Sequence, residues 1–310
     1  LTQSIWHPCL WYGDGILVAI FVDDLVVMYR DEDALSSLRS KLETAGVPTT
    51  HDDSAQGHLL GMRYNLSKGN VTFDFSEKKA DLIQQVEAAG YIVQPRRIPA
   101  ISGSTLKPPQ PVREGGAPRS NPLYRQFVGS LLHISKIRME IKNAVRELCR
   151  HLDWNDETHW EALMHVIGYL KQVPGLELRI KAVDLRDCRL AVWVDSSWGN
   201  DKVDLSSAGG YALTLGGQTF HTSSKQLQTI QRSSAEAETL SASEGGYETQ
   251  FFVRILRELG LRQEVVPVIM DSRAAMDLIR RPMLSGRSKH LDIRRLWLRQ
   301  AVDEQQFELW

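Results

Sequence analysis

Three acidic residues, Asp195, Glu238 and Asp271, lie in local sequences that can aim carboxylates at one shared point. Asp195 ends the apolar run Leu190-Ala191-Val192-Trp193-Val194, which reads as a strand. Glu238 falls in the first turns of a long helical pattern that opens at Ser233-Ser234. Asp271 ends a second apolar run, Val265-Val266-Pro267-Val268-Ile269-Met270, and a helical stretch follows it. Two strand ends and a helix start can converge on two divalent cations, the arrangement that cleaves phosphodiester bonds with metal-activated water. Plainer roles are open to the two aspartates. Asp195 suits a strand-end turn, and Asp271 suits the N-cap of a helix beginning near Arg273.

Helix phase separates the two glutamates that follow Ser233. Glu238, Ala242, Gly245, Thr249, Phe252, Leu256 and Leu259 follow steps of three and four, a small-to-apolar stripe that should face a sheet. Glu236 is two residues from Glu238 and so points nearly the opposite way. Ser233 and Glu236 also have the spacing of a capping box. Glu238 is therefore assigned to metal and Glu236 to the helix terminus.

The elements that must hold these groups are legible as periodic runs. Residues 16–22 and 25–29 flank Asp23-Asp24 as a hairpin with a carboxylate turn. Residues 32–46 read as an amphipathic helix, residues 59–64 and 71–75 as a second hairpin, and residues 76–90 as helix. Pro95, Pro99, Pro108, Pro109, Pro111, Pro118 and Pro122, with Gly115-Gly116 among them, mark an exposed connector. Residues 123–172 are mostly helical in pattern. After Pro174-Gly175 the order becomes strands, a long helix, a strand and a helix, so a second domain should begin near 175.

Composition narrows the class. With 42% hydrophobic and 24% charged residues the chain is globular in type, and no apolar run reaches the length of a membrane span. Cys9, Cys149 and Cys188 are widely spaced and odd in number, which fits neither a disulfide framework nor a zinc site and points to a reducing, intracellular compartment. A net charge of −1 confines any phosphate-binding surface to a local patch. The leading leucine fits a fragment of something longer.

Several segments, in order, resemble one family. Phe21-Val22-Asp23-Asp24-Leu25 resembles the Tyr-Val-Asp-Asp turn of retroelement reverse transcriptases. Tyr124-Arg125, Val128-Gly129-Ser130-Leu131-Leu132, His159-Trp160 and Tyr169-Leu170-Lys171 resemble the later polymerase segment of copia-type LTR retrotransposons. Ser223-Ser224-Lys225-Gln226, Ser233-Ser234-Ala235-Glu236-Ala237-Glu238 and Lys289-His290-Leu291-Asp292 are similar to the ribonuclease H domain of the same polyproteins. Ile137-Arg138-Met139-Glu140 and Ile98-Pro99 depart from the family's Thr-Arg-Pro-Asp and Thr-Pro landmarks, outside the carboxylate motifs.

The resemblance implies an α/β and α+β chain. It would comprise a partial reverse-transcriptase palm over 1–95, a linker and helical thumb or connection over 96–174, and a ribonuclease H-like mixed five-stranded sheet with helices over 175–310. It also implies hydrolysis of RNA in RNA–DNA hybrids, with Asp195, Glu238 and Asp271 holding two Mg²⁺ ions (Mn²⁺ as a substitute). A glutamate lying between the aspartates favours a ribonuclease H over an integrase, whose glutamate comes last. Asp23 and Asp24 would be half of a two-metal polymerase site, the family's upstream aspartate lying outside the chain. A fourth nuclease carboxylate is expected beyond Phe307-Glu308-Leu309-Trp310, with Asp292 as a substitute unless it sits on a solvated helix side.

Implied substrate contacts are Ser223, Ser224, Lys225, Gln226, Arg273, Lys289 and His290, the last serving product release or helix capping. The basic set Arg273, Arg280, Arg281, Arg287, Lys289, Arg294, Arg295 and Arg299 reads equally as a phosphate track or a solvated helix face. Implied partners are the hybrid, a template-primer and the rest of the polyprotein, with no membrane, and the implied location is a cytoplasmic virus-like particle. A nucleic-acid-binding remnant without turnover is the alternative.

Overall fold

The computed structural model describes residues 1–101, 106–107, 121–173, 177–201, 205–281 and 289–310, and for 289–292 the backbone alone. Four short strands come first: β1 (Thr2–Gln3), β2 (Leu10–Gly13), β3 (Ile16–Phe21) and β4 (Asp24–Tyr29). They form an antiparallel sheet in that order, with Phe21 opposite Asp24 at the hairpin tip. Helix α1 (Glu32–Thr44) follows, its N-terminus capped by Asp31, whose side chain accepts from the Ala34 amide.

Strands β5 (Gln56–Leu59), β6 (Met62–Ser67) and β7 (Asn70–Asp74) make a second antiparallel sheet, and α2 (Ser76–Ala88) leads away from it. Helices α3 (Pro122–Ile134), α4 (Lys142–Cys149) and α5 (Glu157–Gln172) then build the largest apolar core with α2. Tyr124, Leu131, Ile134, Leu163, Ile167 and Leu170 are fully buried there. The departure at Ile137-Arg138-Met139-Glu140 is accommodated in this core. Arg138 is buried, bonds Glu140 at 2.5 Å and lies over the Tyr169 ring.

Strand β8 (Leu178–Lys181) pairs with β7, with Phe73 opposite Leu178. The first strand after the boundary expected near 175 thus belongs to the earlier sheet. Partner choice, rather than periodicity, decided this.

The remaining elements are β9 (Leu190–Ser197), β10 (Ala208–Leu215), β11 (Gln218–Gln226), α6 (Ser234–Glu258), β12 (Val266–Ile269), α7 (Arg273–Arg280), α8 (Lys289–Asp303) and β13 (Phe307–Leu309). They form a five-stranded mixed sheet ordered β11-β10-β9-β12-β13. The first three strands are antiparallel to one another, whereas β12 runs parallel to both β9 and β13. This is the mixed sheet with helices that the sequence led us to expect.

Helix α6 lies on the sheet through the predicted stripe. Glu238, Ala242, Gly245, Thr249 and Leu256 are buried, with Phe252 and Leu259 partly so. A Cβ on Gly245 would come within 2.9 Å of Val192 and 3.1 Å of Tyr211, so glycine sets the helix-to-sheet distance. No helix among the described residues is long and apolar enough to cross a membrane.

Candidate active site

β9 and β12 run parallel, with Val268 opposite Val192 and Ile269 opposite Trp193, so Asp195 and Asp271 each follow the last pair by two residues at the same end of neighbouring strands. Residues of even number in β9 (Leu190, Val192, Val194) are buried, and Ser196 bonds Glu238 of α6. By alternation Asp195 faces the other side of the sheet, and Asp271 shares that parity. Both are exposed.

The plainer roles weighed for the aspartates are taken by other features. β9 continues through Ser197, so Asp195 lies within the strand. Ser272, not Asp271, is the N-cap of α7, accepting from the Ala275 amide at 3.2 Å. Asp271 is thereby released from capping.

Glu238 arrives from the opposite face. One carboxylate oxygen, Oε1, accepts the Ser196 amide at 2.9 Å and the Ser196 hydroxyl at 2.8 Å. The other, Oε2, is buried without a hydrogen-bond partner. Burial pushes this carboxyl above the usual carboxylate range. The Ser196 bonds pull the other way, and the charges of Asp195 and Asp271 raise it further.

A buried carboxylate oxygen with no donor, beside two like charges, is costly alone and relieved by a cation. The donor set suits Mg²⁺, a hard cation taking oxygen ligands and keeping several waters. Among the described residues, however, no three His, Cys, Asp or Glu side chains stand close enough to hold one ion. The geometry explains this spread: two carboxylates lie on one face of the sheet, and the third reaches the strand ends from the other.

Helix-end chemistry at α6 follows the expected division with one change. Ser233 Oγ accepts the Glu236 amide at 3.2 Å, while the Glu236 carboxylate takes the Arg232 amide at 2.7 Å, one residue before the N-cap. Glu236 thus serves the terminus, although the reciprocal half of the capping box is displaced by one residue.

Two of the expected substrate contacts are engaged within the chain. Ser224 Oγ donates to Asn143 Oδ1 at 3.3 Å, and Gln226 Nε2 donates to Ser206 Oγ at 2.6 Å. Of this group Lys225 remains exposed. Arg273 is exposed at the start of α7, whereas the side chains of Lys289, His290 and Asp292, and all of Arg287, lie outside the described residues.

The basic run is largely structural. Arg280 Nη2 donates to the Leu309 carbonyl at 3.4 Å, Arg295 Nη1 to that of Leu278 at 3.2 Å and Arg299 Nη1 to that of Arg281 at 3.1 Å. Arg294 pairs with Glu244 at 3.1 Å. These cations tie α8 to α6 and to α7 with its C-cap, and α7 to β13, so neither a continuous phosphate track nor a simply solvated face describes them.

Sequence reasoning missed Ser196, whose only local signal was its place after Asp195. It also missed α4 as a neighbour of β11. Lys142 Nζ donates to the Thr222 carbonyl at 2.5 Å and hydroxyl at 2.9 Å, and Arg150 pairs with Asp201 at 2.5 Å.

Asp23 and Asp24 occupy a different setting. Both are exposed at the tip of the β3–β4 hairpin. The preceding Val22 has φ of +54°, a conformation that a β-branched residue rarely adopts and that costs about 1–3 kcal/mol. Backbone strain beside paired carboxylates is the usual company of a functional turn.

With fold and site described, the chain can be set beside known proteins. Its overall fold is similar to part of a foamy viral protease-reverse transcriptase. The foamy viral protease-reverse transcriptase dRH, solved in complex with ds DNA, superposes with a TM-score of 0.55 at 12% identity, over 94% of this chain and 45% of that one. Its homologues are retrovirus-related Pol polyproteins from plant transposons. That of transposon TNT 1-94 from Nicotiana tabacum is 27% identical over 313 residues, covering 97% of this chain and 23% of the relative. That of transposon RE1 from Arabidopsis thaliana is 33% identical over 180 residues, covering 58% of this chain and 12% of the relative. The chain therefore spans less than a quarter of the length of these polyproteins. No family model matches it.

Proposed function

We propose that this chain is the reverse transcriptase–ribonuclease H portion of a copia-type retrotransposon polyprotein, and that it hydrolyses the RNA strand of RNA–DNA hybrids. One observation supports the nuclease reading: Glu238 Oε2 is buried without a hydrogen-bond partner in the first turns of α6, while Oε1 is held by Ser196, the neighbour of Asp195 in β9. Asp195, Glu238 and Asp271 would hold two Mg²⁺ ions, or Mn²⁺, which when bound supply an activated water and neutralise the leaving 3′-oxygen. The protein's own part is positional. Ser196 fixes the Glu238 carboxylate by two hydrogen bonds, and the parallel β9–β12 pair fixes the spacing of the aspartates. Lys225 and Arg273, both exposed, would contact the hybrid backbone. Residues 1–95 would be palm and residues 96–174 thumb or connection. The remainder of the polyprotein, a template-primer and a cytoplasmic virus-like particle would complete its setting.

The test is cleavage of a labelled RNA–DNA hybrid by the 310-residue chain in Mg²⁺. Asp271→Asn or Glu238→Gln should each lower turnover about a hundredfold or more, since loss even of a group supporting a metal ligand costs 10–100-fold. Cleavage unchanged in both variants would refute the assignment.

A second reading, a hybrid-binding remnant without turnover, is favoured by the absence among the described residues of any three carboxylate, His or Cys groups close enough for one ion. It predicts binding of the hybrid with no cleavage by the unsubstituted chain.

A further inference from the structure

Beyond Ser197 the chain leaves β9 and reaches Trp198, whose indole Nε1 donates to the Gln231 carbonyl at 2.9 Å. Gln231 is itself buried and bonds back to Thr229. Trp198 is therefore anchored to the loop that leads into α6, a few residues before Glu238. Its polar atom is fully used inside the protein, yet the residue is 52% exposed. Ordinary packing does not call for this combination: a large ring held in one orientation with its apolar surface in water.

The surroundings narrow what could cover that surface. Ile230, next to the anchoring residue, is 69% exposed. Arg232, on the other side of Gln231, has a largely exposed side chain whose contact to Glu236 is a loose 3.8 Å pair. An exposed ring with a cation nearby, on the segment that follows Asp195 and the loop that leads to Glu238, matches a nucleic-acid backbone better than an apolar protein surface. Within a duplex the bases are stacked on one another, so the part offered to a fixed indole is the sugar.

We propose that Trp198 is a substrate-binding residue, its indole face packing on a sugar ring of the hybrid near the scissile phosphate while Arg232 contacts a neighbouring phosphate. The assignment rests on the nuclease reading above and adds a contact that the carboxylates do not supply. The ring gives affinity, and Arg232 gives the salt-dependent part of that affinity.

Fluorescence anisotropy of a fluorescein-labelled RNA–DNA hybrid in Ca²⁺, with the 310-residue chain, tests it. Trp198→Ala should weaken binding about tenfold, within the range for an aromatic contact to nucleic acid, and leave the salt dependence unchanged. Arg232→Gln should reduce the salt slope by about one phosphate contact. Trp198→Phe keeps a ring but loses the bond to Gln231. It should bind within about threefold of wild type, which a purely structural tryptophan would not allow. If Trp198→Ala melts below the assay temperature, Trp198→Leu fills the space without a π-face and should show the same loss. Wild-type affinity in a folded Trp198→Ala or Trp198→Leu overturns this proposal alone. Undiminished cleavage by Glu238→Gln overturns the nuclease reading and leaves the binding result standing. Failure of the wild-type chain to bind the hybrid overturns both.

Discussion

The chain carries two acidic constellations, and they are built in opposite ways. Asp23 and Asp24 sit on the tip of the β3–β4 hairpin, at one edge of a four-stranded sheet, with Phe21, Val22 and Met28 all more than half exposed. Asp195, Glu238 and Asp271 are joined to a core in which Val192, Leu213 and Val268 are fully buried. The hairpin pair is the more recognisable in sequence because adjacency and flanking strands define it. The triad's members come from separate elements, positioned by strand pairing, helix packing and the Ser196 bonds, and no local sequence feature joins them.

That contrast can be sharpened by substitution. The largest effect should come from the triad's foundation. Leu213→Ala, at a fully buried position of β10, should cost about 2–5 kcal/mol by calorimetry or denaturant unfolding, whereas Met28→Ala on the hairpin should stay within about 0.5 kcal/mol.

Next comes Ser196→Ala. Loss of the hydroxyl leaves Glu238 with the amide bond alone and should lower hybrid cleavage about tenfold. It should also move the pH profile. The Ser196 bonds hold the Glu238 carboxyl down against burial and the two aspartates, so removing one raises it further. Activity that needs the ionised carboxylate would then be lost at higher pH as the solution is acidified. A profile that shifts towards acid contradicts the assigned role of Ser196.

The sign for stability is separate. A carboxyl raised on folding binds more protons in the native state, so its contribution to stability is fully present below the unfolded-state value and is lost as pH rises through the folded one. Ser196→Ala should therefore steepen the loss of stability as pH rises through the Glu238 titration, read as melting temperature against pH.

The smallest effect belongs to the hairpin. Val22→Gly relieves a positive φ and should stabilise the turn by up to about 1 kcal/mol without changing hybrid cleavage.

Much of the architecture was legible because it is written in local periodicity. The hairpin around Asp23-Asp24, the helices at Glu32–Thr44 and Ser76–Ala88, the helical block and the stripe of α6 all follow from spacing. The choice of Glu238 over Glu236 was likewise a matter of helix phase. What escaped were decisions made by distant partners. β8 looked like the opening of the second unit until its pairing with β7 placed it elsewhere. Asp271 carried an N-cap reading that Ser272 fills by a single hydrogen bond. Ser224 and Gln226, read as substrate contacts, are occupied by Asn143 and Ser206, residues 81 and 20 positions away. The short strands β1, β2 and β5 gave no clear alternation to read.

One measurement bears most directly on the difference between the two constellations. The 310-residue chain is incubated in Mg²⁺ with deoxynucleotides and an RNA–DNA hybrid labelled on both strands, beside Asp24→Asn and Glu238→Gln. The expected result is cut RNA without DNA extension, untouched by Asp24→Asn and abolished by Glu238→Gln. Extension of the DNA that Asp24→Asn removes, with the RNA left intact, would show that the exposed pair is the working site and would contradict the assignment of the triad.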